Sequence, residues 1–280
     1  MTAYHRPRSL DEALAIRAET GALPLAGGTD IHPLRTARAA WGEPWTMPVL
    51  DLSAVPGLDG IEEDATGWRI GARTSWTAIA EAALPPLFDG LRAAAREVGG
   101  RQVQNRGTIA GNLVTASPAG DGIPNLLALE AEVELASRDA TRRLPVAEFV
   151  TGYRATALAP EEIVTALHVP RLDHARGRFE KLGARRYLVI SIAMAAAVIA
   201  MEGDRVAEAR IAIGACSPVA RRLPALEAAL VGQHPSEMAS VPQPAHLTPL
   251  APIDDIRATA AYRTDAALVL LRDLLAGFTA

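Results

Sequence analysis

Two glycine-rich stretches stand far apart in this chain. The first is Leu25-Ala26-Gly27-Gly28-Thr29-Asp30; the second runs Gly107-Thr108-Ile109-Ala110-Gly111-Asn112 and continues as Ala116-Ser117-Pro118-Ala119-Gly120-Asp121. Glycine at such density is useful where the backbone must take a positive φ, or where another backbone or a ligand comes within contact distance. Two consecutive glycines followed by a helix start form a nest of amides suited to an anion. Neither stretch is a P-loop, because no Gly-Lys-Ser/Thr follows the glycines, and neither has the three spaced glycines of the dinucleotide fingerprint. Each alone also reads as plain architecture: a strand–turn–helix connection for the first, a structural loop with local Asn and Asp turns for the second. Together they suggest one large phosphate-bearing ligand held from two sides.

The remaining numbers narrow the class. With 280 residues, 49% of them apolar, there is material for two domains or one large one, and Ala, Leu, Val and Ile must fill a core that has 4% aromatics. The formal net charge of −4, without a dense basic block, argues against nucleic acid as a partner. The apolar run from Leu188 to Met201 is too short to span a bilayer, and residues 1–10 have no apolar segment of signal-peptide length. A soluble, cytoplasmic protein with no membrane span is expected. Cys216 is the sole cysteine, so neither an internal disulfide nor an iron–sulfur cluster held by this chain alone is possible. The histidines show no zinc-like spacing.

Periodicity predicts an α+β order. Ser9 caps a first helix with Leu10, Ala13, Leu14 and Ile16 on its apolar face, and Gly21 ends it. Leu23–Ala26 enters the first glycine pair, and a helix is expected near Thr36–Ala40. Trp41–Pro48 reads as a loop, Val49–Leu52 as a strand, and Gly57–Gly71 as a hairpin. Helices are expected over Thr74–Ala83, capped by Thr74 or Ser75, and over Leu87–Val98. After the second stretch come a short helix (Ile123–Leu129), a strand pair (Ala131–Ala136 and Arg142–Pro145) and a strand at Ile163–Val169. The charged, turn-rich Pro170–Gly177 marks a boundary between domains 1–173 (subdivided near residue 55) and 174–280. Beyond it lie three strand-like segments (Arg178–Leu182, Ile192–Met201, Val206–Gly214), a helix at Pro224–Gly232, a proline-rich Pro235–Pro252 and an amphipathic helix at Ala261–Ala276. Lys181, on one of these strands, would ordinarily point to solvent. Cys216 has nothing near it in sequence to lower its pKa and reads as a small core residue. No Ser/His/Asp order, carboxylate pair or metal motif stands out.

These residues resemble the FAD-binding medium subunit of the molybdenum hydroxylases, the group that includes the flavoprotein subunits of xanthine dehydrogenase and aerobic carbon monoxide dehydrogenase. Tyr4-His5-Arg6-Pro7 with Ser9–Ala13 resembles the family's opening, Pro24–Asp30 its first flavin loop, and Arg106–Asn112 through Ala116–Asp121 its second; the likeness covers nearly the whole chain. The fold it implies is a FAD-binding domain of two α/β subdomains, then a C-terminal domain with a three-stranded antiparallel sheet and helices. It implies that Leu25, Ala26, Gly27, Gly28, Thr29, Asp30 and Ile31 wrap the FAD pyrophosphate by their amides. Thr108, Gly111 and Asn112 would hold the diphosphate and ribityl side, with Ala116 in the same segment. Asp121 would accept from adenosine or ribityl hydroxyls, and Val164 would make a backbone contact. Lys181, opening a Lys-x-x-x-Arg segment, would lie near the isoalloxazine and favour its reduced, anionic form, and Ile190 would sit beside the ring. Where members of the family often carry an acidic residue before that position, this chain has Val189.

The implied activity is that of an oxidoreductase subunit. Its FAD receives electrons from 2Fe-2S clusters on a small partner chain, after substrate is oxidised at a molybdopterin centre on a large one, and passes them to an external acceptor such as NAD, oxygen or a quinone. A dimer of heterotrimers is the implied assembly. Two other readings stand beside it: a non-catalytic flavin-binding or assembly module, and a sugar-nucleotide enzyme that uses the glycine loops without flavin.

Overall fold

The computed structural model describes residues 3–279 and shows an α+β protein built on three main sheets. The first is small and parallel. It contains β1 (Tyr4–His5), β2 (Leu23–Leu25) and β3 (Val49–Asp51) in the order β1-β3-β2, with α1 (Leu10–Thr20) against it and α2 (Ile31–Ala40) following β2. The Ser9 hydroxyl accepts the Glu12 amide at the start of α1, and Gly21 closes the helix at φ 63°, as the sequence predicts.

The second sheet is antiparallel, in the order β4-β5-β10-β6-β7. Its strands β4 (Ile61–Glu63) and β5 (Gly67–Gly71) form the expected hairpin. The helices α3 (Trp76–Glu81), α4 (Asp89–Glu97), α5 (Arg101–Gln104), α6 (Ile109–Thr115) and α7 (Gly122–Ala128) then precede β6 (Glu132–Ala136) and β7 (Thr141–Pro145). A turn of helix, α8 (Val146–Phe149), and the small hairpin β8 (Val150–Gly152) with β9 (Ala155–Thr156) lead to β10 (Ile163–Pro170). Ser75, one of the two predicted caps, starts α3 by accepting the Ala78 amide. Much of the second glycine stretch, read as a loop in its architectural alternative, is the helix α6: Thr108 takes the N-cap and its hydroxyl accepts the Gly111 amide.

The third sheet holds β11 (Ala175–Leu182), β12 (Ala193–Glu202), β13 (Arg205–Gly214) and a two-residue fourth strand, β14 (Arg221–Arg222), with α9 (Pro224–Leu230) and α10 (Ala260–Ala276) after it. The proline-rich Pro235–Pro252 contains two short 3-10 turns. The alanine content of β12 has a physical reason. Its side chains alternate between two cores: Met194, Ala196, Val198 and Ala200 join the core of the second sheet, whereas Ala193, Ala195, Ala197 and Ile199 pack with α9 and α10. A strand covered on both faces is apolar along its whole length, and here its alanines leave room for α7 on one side and α10 on the other. The C-terminal sheet thus shares a core with the unit before it, and α7, all seven of whose residues are buried, lies at that junction.

Candidate functional site

The two glycine stretches meet. A Cβ on Gly27 would overlap the Arg106 carbonyl and lie 3.1 Å from the Gly107 Cα; a Cβ on Gly107 would lie 3.3 Å from Trp76 Cδ1 and 3.5 Å from Thr29 Oγ1. The glycines are therefore what lets two distant loops share one wall. Gly28, at φ 75°, makes the turn that carries the chain from β2 into α2.

Where they meet lies a cleft of about 480 Å³, within the range of small-molecule and cofactor sites. Ala26, Gly27, Gly28, Thr29, Asp30 and Ile31 line one side, Thr108, Gly111 and Asn112 another, and Val164 from β10 the floor. The amides of Gly27, Gly28, Thr29 and Asp30 donate to no other group among the described residues, and Asp30 supplies no side-chain cap to α2. These donors, together with the positive end of α2, present an anion site. Asn112 Oδ1 is buried without a hydrogen-bond partner among the described residues. A buried polar atom in this condition calls for a partner that the chain itself does not supply.

Five sequence-predicted positions lie outside the cleft lining. Leu25 is buried beneath the first loop, and Ala116 is buried at the left-handed end of α6, φ 45°. Asp121 and Lys181 are together elsewhere: Lys181 Nζ donates to Asp121 Oδ2 at 2.9 Å, with side-chain exposures of only 7% and 9%. Ser191 Oγ donates to Asp121 Oδ1 at 3.0 Å and is itself buried. Lys181 is thus not a solvent lysine. Burial pushes the Asp121 carboxyl above its ordinary value, and the Lys181 ammonium and the two hydrogen bonds only partly pull it back. Ile190 lines a second cavity of about 510 Å³ with Ser191, Tyr153, Arg154, Asp255 and Arg257.

The buried cluster stands between the two cavities. Ser191 faces the second one, and Gly122, next to Asp121, lies against Asn112 and Trp76 of the first; a Cβ on Gly122 would come 2.9 Å from Asn112 Oδ1. Sequence reasoning missed Trp76, Arg73 and Ser191. The Ser75 cap just before Trp76 was legible, but its antiparallel bridge to Thr108 is a long-range contact with no local signature.

Known proteins share this chain's sequence pattern and fold. A family model described as the FAD binding domain in molybdopterin dehydrogenase matches residues 1–172. The chain belongs to this family. A second model, the CO dehydrogenase flavoprotein C-terminal domain, matches residues 179–277. Among named relatives of this flavoprotein, the carbon monoxide dehydrogenase medium chain of Hydrogenophaga pseudoflava is 31% identical over 93% of this chain and 91% of its own length. The nicotine 6-hydroxylase medium subunit of Paenarthrobacter nicotinovorans is 31% identical over 96% of this chain and 94% of its own. Carbon monoxide dehydrogenase from Hydrogenophaga pseudoflava, solved in a form lacking the Mo-pyranopterin moiety, superposes with a TM-score of 0.86 at 29% identity, covering 98% of this chain and 96% of that one. The relatives are oxidoreductase subunits. No helix among the described residues is long and apolar enough to cross a membrane.

Proposed function

We propose that this flavoprotein is the electron-transfer subunit of a molybdenum hydroxylase or dehydrogenase, receiving electrons from 2Fe-2S clusters on a small partner chain and delivering them to an external acceptor. The observation that carries this is the meeting of the two glycine stretches around one cleft with unpaired amides on one wall and the orphaned Asn112 oxygen on another. FAD bound there would supply the exchange between one-electron and two-electron steps.

The chain's own residues do the rest. The amides from Gly27 to Asp30 would take the pyrophosphate, with the Thr29 hydroxyl beside them. Thr108, Gly111 and Asn112 would fix the opposite side, and Val164 would close the floor. Leu25 and Ala116, both buried, would hold the ends of the two walls in place. Lys181, Asp121 and Ser191 would set the position and electrostatics of the ring end, close to Ile190. In this arrangement residues 1–173 form the cofactor unit, and 174–280 supply Lys181 and Ser191, which pin Asp121 at the end of its second wall. No side chain need act as an acid or base; the protein binds, orients and screens.

The partners of this reading are a large molybdopterin chain and the small 2Fe-2S chain. The test is anaerobic. With both partner chains and the complex's substrate, the bound flavin bleaches; with the isolated chain and substrate it does not. Bleaching of the isolated chain would place substrate oxidation on this chain and refute the reading.

A further inference from the structure

α2 buries little of itself. None of its ten residues is buried. Ile31, Arg35 and Arg38 are half-buried, while Leu34, Ala37 and Trp41, at spacing i, i+3 and i+7, are exposed, with Arg38 one turn from each of Leu34 and Trp41. Leu34 is 49% exposed and Trp41 84%, and Met47 in the following loop is 40% exposed. An isolated helix shorter than ~12–15 residues is marginal in water, and helices in proteins are held chiefly by burying an apolar face. This one buries no residue fully, and of its apolar side chains only Ile31 is half-buried against its own chain. Apolar anchors at i, i+3 and i+7 are the pattern by which a helix docks into another protein's groove.

The charge pattern restricts the occupant. α2 carries His32, Arg35 and Arg38 and no acidic residue, in a chain whose formal charge is −4. Arg35 lies over the Trp45 ring at 5.8 Å, and Arg38 meets Glu43 only at 3.9 Å. A second copy presenting the same face would set arginine against arginine. A different chain with carboxylates around an apolar groove would meet both features.

We propose that α2 and the loop Trp41–Pro48 form a docking element for a partner chain that presents an apolar groove edged by acidic side chains, with Trp41 and Leu34 as the anchors. This rests on the reading that the flavoprotein works within a multi-chain complex. Because α2 begins at the amides that line the cleft, a partner seated on it also steadies the cofactor loop.

Hydrogen exchange on the isolated chain and on the complex purified with its large and small chains tests this. The expected result is that amides of residues 34–41 exchange at least about tenfold more slowly in the complex. The paired substitution Leu34→Ser and Trp41→Ser should weaken assembly about tenfold or more, with the flavin content of the isolated variant equal to that of the parent, which shows that it folds. Equal exchange in the two states, or assembly of the variant at parental strength, overturns the inference. Protection of 34–41 that appears in the isolated chain as its concentration rises also overturns it, in favour of a second copy as occupant. If the parent chain forms no complex with the two partners, the assembly reading itself has failed and the inference falls with it; a complex that forms with 34–41 still unprotected refutes the inference alone.

Discussion

Lys181→Met leaves the Asp121 carboxylate buried, with the Ser191 hydroxyl as its remaining side-chain partner among the described residues. Removing one member of a buried ion pair typically costs ~3–5 kcal/mol, because the other charge is stranded away from water. Both side chains here are below a tenth exposed, so solvent screening does little to soften the loss. Protonation sets a ceiling. A carboxyl with an ordinary value near ~4 can be held neutral at pH 7 for ~4 kcal/mol, at ~1.4 kcal/mol per pH unit. The variant folds with Asp121 protonated and unfolds to an ionised carboxylate, so folding takes up a proton. Its deficit against the parent is largest at pH 7 and shrinks as pH falls, by up to ~1.4 kcal/mol per unit, until the parent's own Asp121, raised by burial, also takes up its proton. Urea unfolding of the parent, of Lys181→Met and of Lys181→Met with Asp121→Asn, each at pH 5, 6 and 7, measures this. The double variant should recover much of the neutral-pH loss, since no charge is stranded. A deficit below ~0.5 kcal/mol, the range of ordinary surface substitutions, would refute the reasoning, as would a pH-independent deficit with no recovery in the double variant.

Three further outcomes follow from the same contacts. Gly27→Ala places a Cβ into the Arg106 carbonyl and must part the two glycine stretches; it should cost ~1–3 kcal/mol of stability, as overpacking does, and strip bound flavin, read by cofactor content after gel filtration. Acid should destabilise the fold. The Arg142 hydrogen bond, against partial burial and helped by the Ala159 amide, holds the Glu162 carboxyl below its usual range, and the Arg257 amide, with Arg263, does the same for Asp255. A lowered carboxyl contributes stability that is present above its unfolded value near ~4 and is lost as pH falls through the folded one, so thermal midpoints should drop between pH 5 and pH 3, approximately, with Glu162→Gln flattening the slope. Cys216 is fully buried and its thiol is pushed up to about 11 by burial; a thiol reagent at pH 8 should label it only after denaturation, and labelling of the native chain would contradict its core position.

Local signals carried much of the fold. Ser9 and Gly21 bracket α1 because cap and left-handed turn are set by single residues. The strand β12 was legible from its apolar run, but its division between two cores was not, since alternation shows which residues share a face and not what covers it. α6 reads poorly because Gly111, Asn112 and Thr115 are weak helix formers; the helix is held by the Thr108 cap and the bridge to Ser75. The glycine stretches were legible as walls, and their direct contact depends on folding between them. Lys181 shows the limit most clearly. On its strand nothing marks it as buried, and its partner lies sixty positions away on another sheet's helix cap. The outward stripe of α2 was invisible for a related reason: periodicity gives a helix its apolar face without saying whether its own chain covers it.

If the two glycine stretches close on one FAD, the purified chain carries it. Flavin content, measured as visible absorbance and as FAD released on denaturation, decides this. Close to one FAD per chain is expected. A colourless chain that folds, and takes up no FAD when it is added, would contradict it.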